Sequence, residues 1–153
     1  MKDDRVQVSI KGVVPTPGGS GVFLQAEEKT ISIFVDPMAT RALSLALEGE
    51  AAPRPLTHDL MISVFGGLGV QMKEVNIHLV QDETYFARLT LQQKNELGTN
   101  ILEIDARPSD GIILAVHLDA PITVSRTVWD SAEDMTWALQ QIQPPEEDDP
   151  SSD

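Results

Sequence analysis

Cysteine is absent from the 153 residues, which excludes disulfides, thiolate zinc sites and a thiol nucleophile. Long hydrophobic runs are missing too: charges or turn residues interrupt every apolar stretch before the roughly 18 positions that a membrane-spanning helix needs. Positive charge is scarce. Eleven Lys and Arg stand against twenty-four Asp and Glu, a net charge of −13 with an isoelectric point near 4.4, which argues against a broad nucleic-acid-binding surface. A phosphate-bearing ligand therefore needs a local site with its own cations. The sequence also lacks HxH and HExxH metal spacings, a GxSxG elbow, a GxxxxGK[ST] loop and a GxGxxG fingerprint. The glycine cluster Gly66-Gly67-Leu68-Gly69 follows a predicted helix instead of opening one.

What is present suits one folded domain: 41% of the residues are hydrophobic, enough for a single core without covalent support. The opening Met1-Lys2-Asp3-Asp4-Arg5 has acids where a secretory signal would be basic and then apolar, so a cytoplasmic location is expected. Residues 146–153 hold five acids and no base, leaving eleven cations against nineteen acids, a net of −8, for residues 1–145. The expected organisation is a domain over 1–145 and a disordered acidic tail over 146–153.

Val6, Val8 and Ile10 alternate with Arg5, Gln7 and Ser9, the period of a half-buried strand over 5–14. A turn cluster over 15–21 separates it from strands at Val22–Ala26 and Thr30–Val35. Asp36-Pro37 predicts a capped helix over 37–48, ended by Gly49. Pro53 and Pro55 make the next stretch an extended connector. A second helix follows, with Thr57 as cap, Asp59 in its first turn, an apolar stripe of Leu60, Met61, Val64, Phe65 and Leu68, and an end at Gly66, Gly67 and Gly69. Two-residue periodicity returns in a hairpin about Gln81-Asp82-Glu83 and a strand over 101–104. Pro108-Ser109-Asp110 opens a central apolar helix over about 110–118, a strand covers 121–125, and Ser131 with Asp134 resembles a capping box for a last helix. The fold class is α+β: two groups of strands in a largely antiparallel sheet system covered by three helices, with a fourth helix appended.

Two segments echo each other, Arg54-Pro55-Leu56-Thr57-His58-Asp59 and Asp105-Ala106-Arg107-Pro108-Ser109-Asp110. Each brings an arginine, a hydroxyl and a carboxylate to a helix start, where free backbone amides favour anions. If the starts converge, Asp59, Asp105 and Asp110 are hard oxygen ligands suited to magnesium or manganese. Arg54 and Arg107, with Thr57 and Ser109, would then bind a phosphate, and His58 would serve as general base or proton relay. The competing reading is structural: Asp59 and Asp110 are first-turn acids, neutralised by the arginines in ion pairs. His78, between Ile77 and Leu79, and His117, on an apolar helix, read as packing or hydrogen-bonding residues.

Arg54-Pro55-Leu56-Thr57-His58-Asp59-Leu60, Tyr85-Phe86-Ala87-Arg88-Leu89 and Ile104-Asp105-Ala106-Arg107-Pro108-Ser109-Asp110 resemble, in order and spacing, the hallmark stretches of the bifunctional nuclease domain family. The resemblance covers about residues 5–128. It implies an α+β domain that assembles as a homo-oligomer, most simply a dimer, and a nuclease acting on RNA and DNA. The chain departs from the family pattern at Asp36 and Ala39, where glycine and glutamate are usual, and at Gly111 and His117, where alanine and arginine are usual. The alternative function is a non-catalytic anion-binding or regulatory homo-oligomer with the same fold, and a third reading makes the charged cluster a structural element of a subunit interface.

Overall fold

The computed structural model describes residues 4–142, and the expected acidic tail lies outside them. Strand β1 (Arg5–Thr16) buries Val6 and Val8 while Arg5, Gln7 and Ser9 stay exposed. It pairs antiparallel with β2 (Gly19–Ala26), which pairs antiparallel with β3 (Lys29–Val35). The turn expected over 15–21 contracts to Pro17 and Gly18, because Pro15 and Thr16 stay in register with Ser20 and Gly19 and Gly18 takes the left-handed backbone (φ 83°) that a side chain would resist. Helix α1 (Pro37–Glu48) starts as predicted: Asp36 Oδ1 accepts from the Ala39 amide at 2.8 Å, and Gly49 ends it at φ 67°.

Helix α2 (Thr57–Leu68) corrects the expected cap. Leu56, not Thr57, holds the cap position, and Asp59 Oδ2 accepts from the Leu56 amide at 2.8 Å, so the first-turn acid satisfies the helix start from within. Gly66 and Gly67 remain helical, and the left-handed Gly69 ends α2. None of its side chains is buried: Met61, Ile62 and Phe65 pack partly on the core, while Leu60, Val64 and Leu68 face outward. Strands β4 (Val70–Gln81), β5 (Thr84–Asn95) and β6 (Gly98–Ala106) form a second antiparallel meander.

Helix α3 (Pro108–Leu118) begins two residues before the expected 110, because Pro108 is already shaped for a first helical turn. Arg107 takes the cap position with no side-chain cap, so Ser109 lies inside the helix and caps nothing. Ile112, Ile113, Leu114 and Ala115 are all buried against the sheet. Gly111 sets how near α3 can come: a Cβ there would lie 2.5 Å from Val75 Cγ2 and 3.1 Å from Leu89 Cδ2. Glycine at this position thus permits a closely packed helix.

Strand β7 (Ile122–Ser125) runs parallel to β4 and antiparallel to β1, inserting between the two meanders. The result is one mixed seven-stranded sheet of order β3-β2-β1-β7-β4-β5-β6, an α+β domain. Ser131, expected to open the last helix, closes a short one instead, α4 (Arg126–Ser131), whose Trp129 is buried under the first meander while Lys29 Nζ donates to its carbonyl at 2.6 Å. Asp134 then accepts from the Thr136 amide at 3.0 Å at the start of α5 (Thr136–Ile142). Among the described residues no helix is long and apolar enough to cross a membrane.

Candidate active site

Three helix starts, not two, meet at one place. Asp36, before α1, uses Oδ1 for its own helix and Oδ2 to accept from Arg107 NH1 at 3.2 Å. Arg107, before α3, also grips Asp110 in its own first turn, Nε to Oδ2 at 2.9 Å and NH2 to Oδ1 at 3.2 Å. His58, in the first turn of α2, reaches the same carboxylate, Nε2 to Oδ1 at 2.9 Å. The starts of α2 and α3 meet at Asp110, and the start of α1 joins them through Asp36.

Asp110 is the hub. Partial burial would push its carboxyl up, but the hydrogen bonds and charge of Arg107, together with those of His58, outweigh burial and hold it below the usual aspartate value. The same pair, through the hydrogen bond to Asp110 first, raises the Arg107 guanidinium, so both stay charged. An ionised carboxylate can only accept, so the His58 proton facing it sits on Nε2. Nδ1 has no hydrogen-bond partner among the described residues, which leaves it to accept a proton.

These groups wall one side of a cavity of about 770 Å³. Its floor is apolar, built from Leu56, Met61, Leu89, Ile104 and Leu114, and Arg41 and Thr57 also line it. Leu89 and Ile104 stand opposite each other in the β5–β6 register and so share the face of the sheet on which α3 packs.

Other predicted site residues go elsewhere. Arg54 is exposed on the connector and does not line the cavity, so the pairing of Arg54 with Arg107 about one anion is not formed. Connector residues 53 and 54 form a bend that carries Arg54 away before α2 begins. Asp59 is spent on the start of α2 and faces His117 Nε2 at 3.7 Å, across a narrow cleft rather than in the larger cavity. Asp105 touches the cavity rim, but strand alternation pairs it with Arg88, and its charge acts on His78. Burial and the Arg88 charge lower the His78 pKa despite Asp105. Ser109 does not line the cavity.

The three aspartates therefore do not form a triad, and among the described residues no group of three His, Asp or Glu side chains is placed to hold a metal ion. Both oxygens of Asp110 already accept from Arg107, one of them from His58 as well. This donor set does not fit a resident magnesium or manganese ion. Sequence reasoning also missed Arg41, which lies in no motif, and the second role of Asp36, which its helix-capping position does not signal.

The profile of the bifunctional nuclease domain matches residues 22–136, a span containing every residue of the cavity wall and floor. The chain belongs to the bifunctional nuclease domain family. An uncharacterized protein of Mycobacterium tuberculosis, found in two strains, is 31% identical over 126 residues, covering 80% of this chain and 73% of its own. A protein of rice named Bifunctional nuclease 2 is 30% identical over 101 residues, 66% of this chain and 31% of the rice protein. One of Arabidopsis thaliana with the same name is 27% identical over 110 residues, 70% of this chain and 33% of its own. The chain thus spans about a third of the length of the two plant proteins.

Proposed function

We propose that the protein hydrolyses phosphodiester bonds of RNA or DNA at the cavity where the three helix starts meet. Membership in the bifunctional nuclease domain family and the names of the plant relatives support the reaction class. The observation that carries it is the His58–Asp110–Arg107 chain on the cavity wall. Asp110 fixes the ring of His58 with the Nε2 proton inward and stabilises the imidazolium that forms when Nδ1 takes a proton from the attacking water. As the P–O bond to the leaving sugar oxygen breaks, the imidazolium returns that proton to the leaving oxygen. Arg107 uses three of its five N–H groups on Asp36 and Asp110. The two that remain, one on NH1 and one on NH2, are donors for a phosphate oxygen as negative charge builds there.

No step of this proposal passes through a metal ion, because the Asp110 oxygens are occupied by cationic donors. The test is cleavage of single-stranded RNA and single-stranded DNA by protein freed of contaminating nucleases, with and without chelator. Cleavage that persists in chelator supports the proposal. Cleavage that chelator abolishes contradicts the metal-free chemistry proposed for His58 and Asp110, and no cleavage leaves the non-catalytic anion-binding reading in its place.

Assembly as a homodimer belongs to the same proposal. Leu60, Val64 and Leu68 on α2, and Ile101 and Leu102 on the edge strand β6, are exposed apolar side chains, and an open edge strand is a template for pairing. Sedimentation velocity at micromolar concentration is expected to give the mass of two chains, and a monomer would contradict it.

A further inference from the structure

Arg107 and Arg41 both line the cavity, yet they differ in what holds them. The charge of Arg107 is answered by Asp36 and Asp110. Arg41 extends from α1 into solvent and makes no ion pair among the described residues. Below them lie Leu56, Met61, Leu89, Ile104 and Leu114, an apolar floor in a space of about 770 Å³. Hydrolysis of a phosphodiester alone does not call for such a floor, since phosphate and sugar are polar.

We propose that this floor receives a single unpaired nucleobase and that Arg41 holds the phosphate attached to it. The inference deepens the nuclease reading and rests on it for the identity of the ligand. The volume falls in the range of roughly 300–1,000 Å³ typical of small-molecule sites. The thioether of Met61 is suited to packing on an aromatic ring, and the branched side chains of Leu89 on β5 and Ile104 on β6 line the same cavity. A base inside a duplex cannot reach a pocket, so the nucleotide has to be single-stranded or turned out of its stack. Charge decides the rest. A net charge of −13 disfavours a long backbone lying along the surface, since each additional phosphate contact would require a cation. One uncommitted arginine at the cavity therefore selects one phosphate, with recognition carried by the base beside it.

The experiment is calorimetric titration of the whole chain with adenosine 5′-monophosphate, adenosine and inorganic phosphate. The nucleotide is expected to bind at least about tenfold more tightly than either part. Arg41→Gln should weaken the nucleotide about tenfold and leave adenosine unchanged, whereas Ile104→Asp, on an exposed edge strand, should weaken both. If Ile104→Asp does not fold, Met61→Ala gives the same reading at the floor. The logarithm of nucleotide affinity should fall with the logarithm of salt concentration with a slope near one. Nucleotide binding no tighter than phosphate, or unchanged in Arg41→Gln, overturns the inference. Nucleotide binding by a protein that cuts no nucleic acid keeps this site and removes the nuclease reading; cutting without nucleotide binding does the reverse.

Discussion

His58 and Asp110 lie 52 positions apart in the chain and 2.9 Å apart in space, Nε2 to Oδ1. The bond ties the first turn of α2 to the first turn of α3. The neighbouring residue repeats the link in the opposite sense, Asp59 on α2 facing His117 near the end of α3 at 3.7 Å. Helix α2 has no fully buried residue, so these two histidine–carboxylate contacts add to the partial packing of Met61, Ile62 and Phe65 in placing it beside the cavity. His117 also places its ring in the last turn of α3, where the helix dipole favours a cation.

Removing Arg107 should change its neighbour in a defined direction. In Arg107→Gln the carboxylate loses its largest favourable partner, and partial burial, which opposes ionisation, acts with less to offset it. The Asp110 pKa is then expected to rise toward or above the ordinary aspartate value, read by carbon-13 NMR titration of the side-chain carboxyl. An Asp110 signal that titrates as in the parent would mean that Arg107 does not hold it.

The same shift dictates a dependence of stability on pH. The Asp110 carboxyl is depressed in the folded protein, so its contribution is complete above the unfolded value, about 3.9, and is lost as pH falls through the folded value. Asp110→Asn should therefore be less stable than the parent at pH 7, with the gap closing progressively below about pH 4. Urea melts across that range provide the check, and a gap that does not change with pH would count against the ion-paired geometry.

Gly111→Ala is expected to destabilise the domain by about 1–3 kcal/mol, since its methyl would meet Val75 Cγ2 at 2.5 Å and push α3 off the sheet. Denaturant midpoints measure it. An unchanged midpoint would mean that the helix shifts freely, and with it the position of Asp110.

Trp129→Ala should cost about 3–5 kcal/mol. Trp129 is 2% exposed, and Lys29 Nζ stands 5.5 Å over its ring, so the truncation removes both core volume and a cation–π contact. A thermal melt within error of the parent would show that α4 does not anchor the first meander.

Much of this architecture is legible in the sequence because the relevant signals are local. The alternation of Val6 and Val8 gives β1, Asp36-Pro37 and Gly49 bound α1, and the two Arg-Pro segments mark the starts of α2 and α3. What escapes is set by long-range packing. Thr57 and Ser109 look like caps by residue type, but Asp59 and Arg107 occupy those starts in ways that depend on the following turn. Strand parity alone sends Asp105 toward Arg88 and away from Asp110 once the β5–β6 register is known. Arg54 precedes a proline like Arg107 does, yet a bend in an extended connector carries it off, whereas Arg107 is fixed directly on α3. Helix α4 is six residues long, too short for an amphipathic period to be seen, and only burial of Trp129 reveals its purpose.

The most direct test of the central claim is the rate at which the purified protein cleaves a single-stranded oligonucleotide, compared with His58→Ala and Asp110→Asn at equal concentration, with circular dichroism confirming that each variant folds. If His58 is the proton acceptor and Asp110 orients it, His58→Ala should lose about 10²–10⁴-fold in rate, and Asp110→Asn should show a large loss as well, because an amide can donate to Nε2 and invert the tautomer. Folded variants that cleave at the parent rate would contradict the assignment of the reaction to this histidine–aspartate pair.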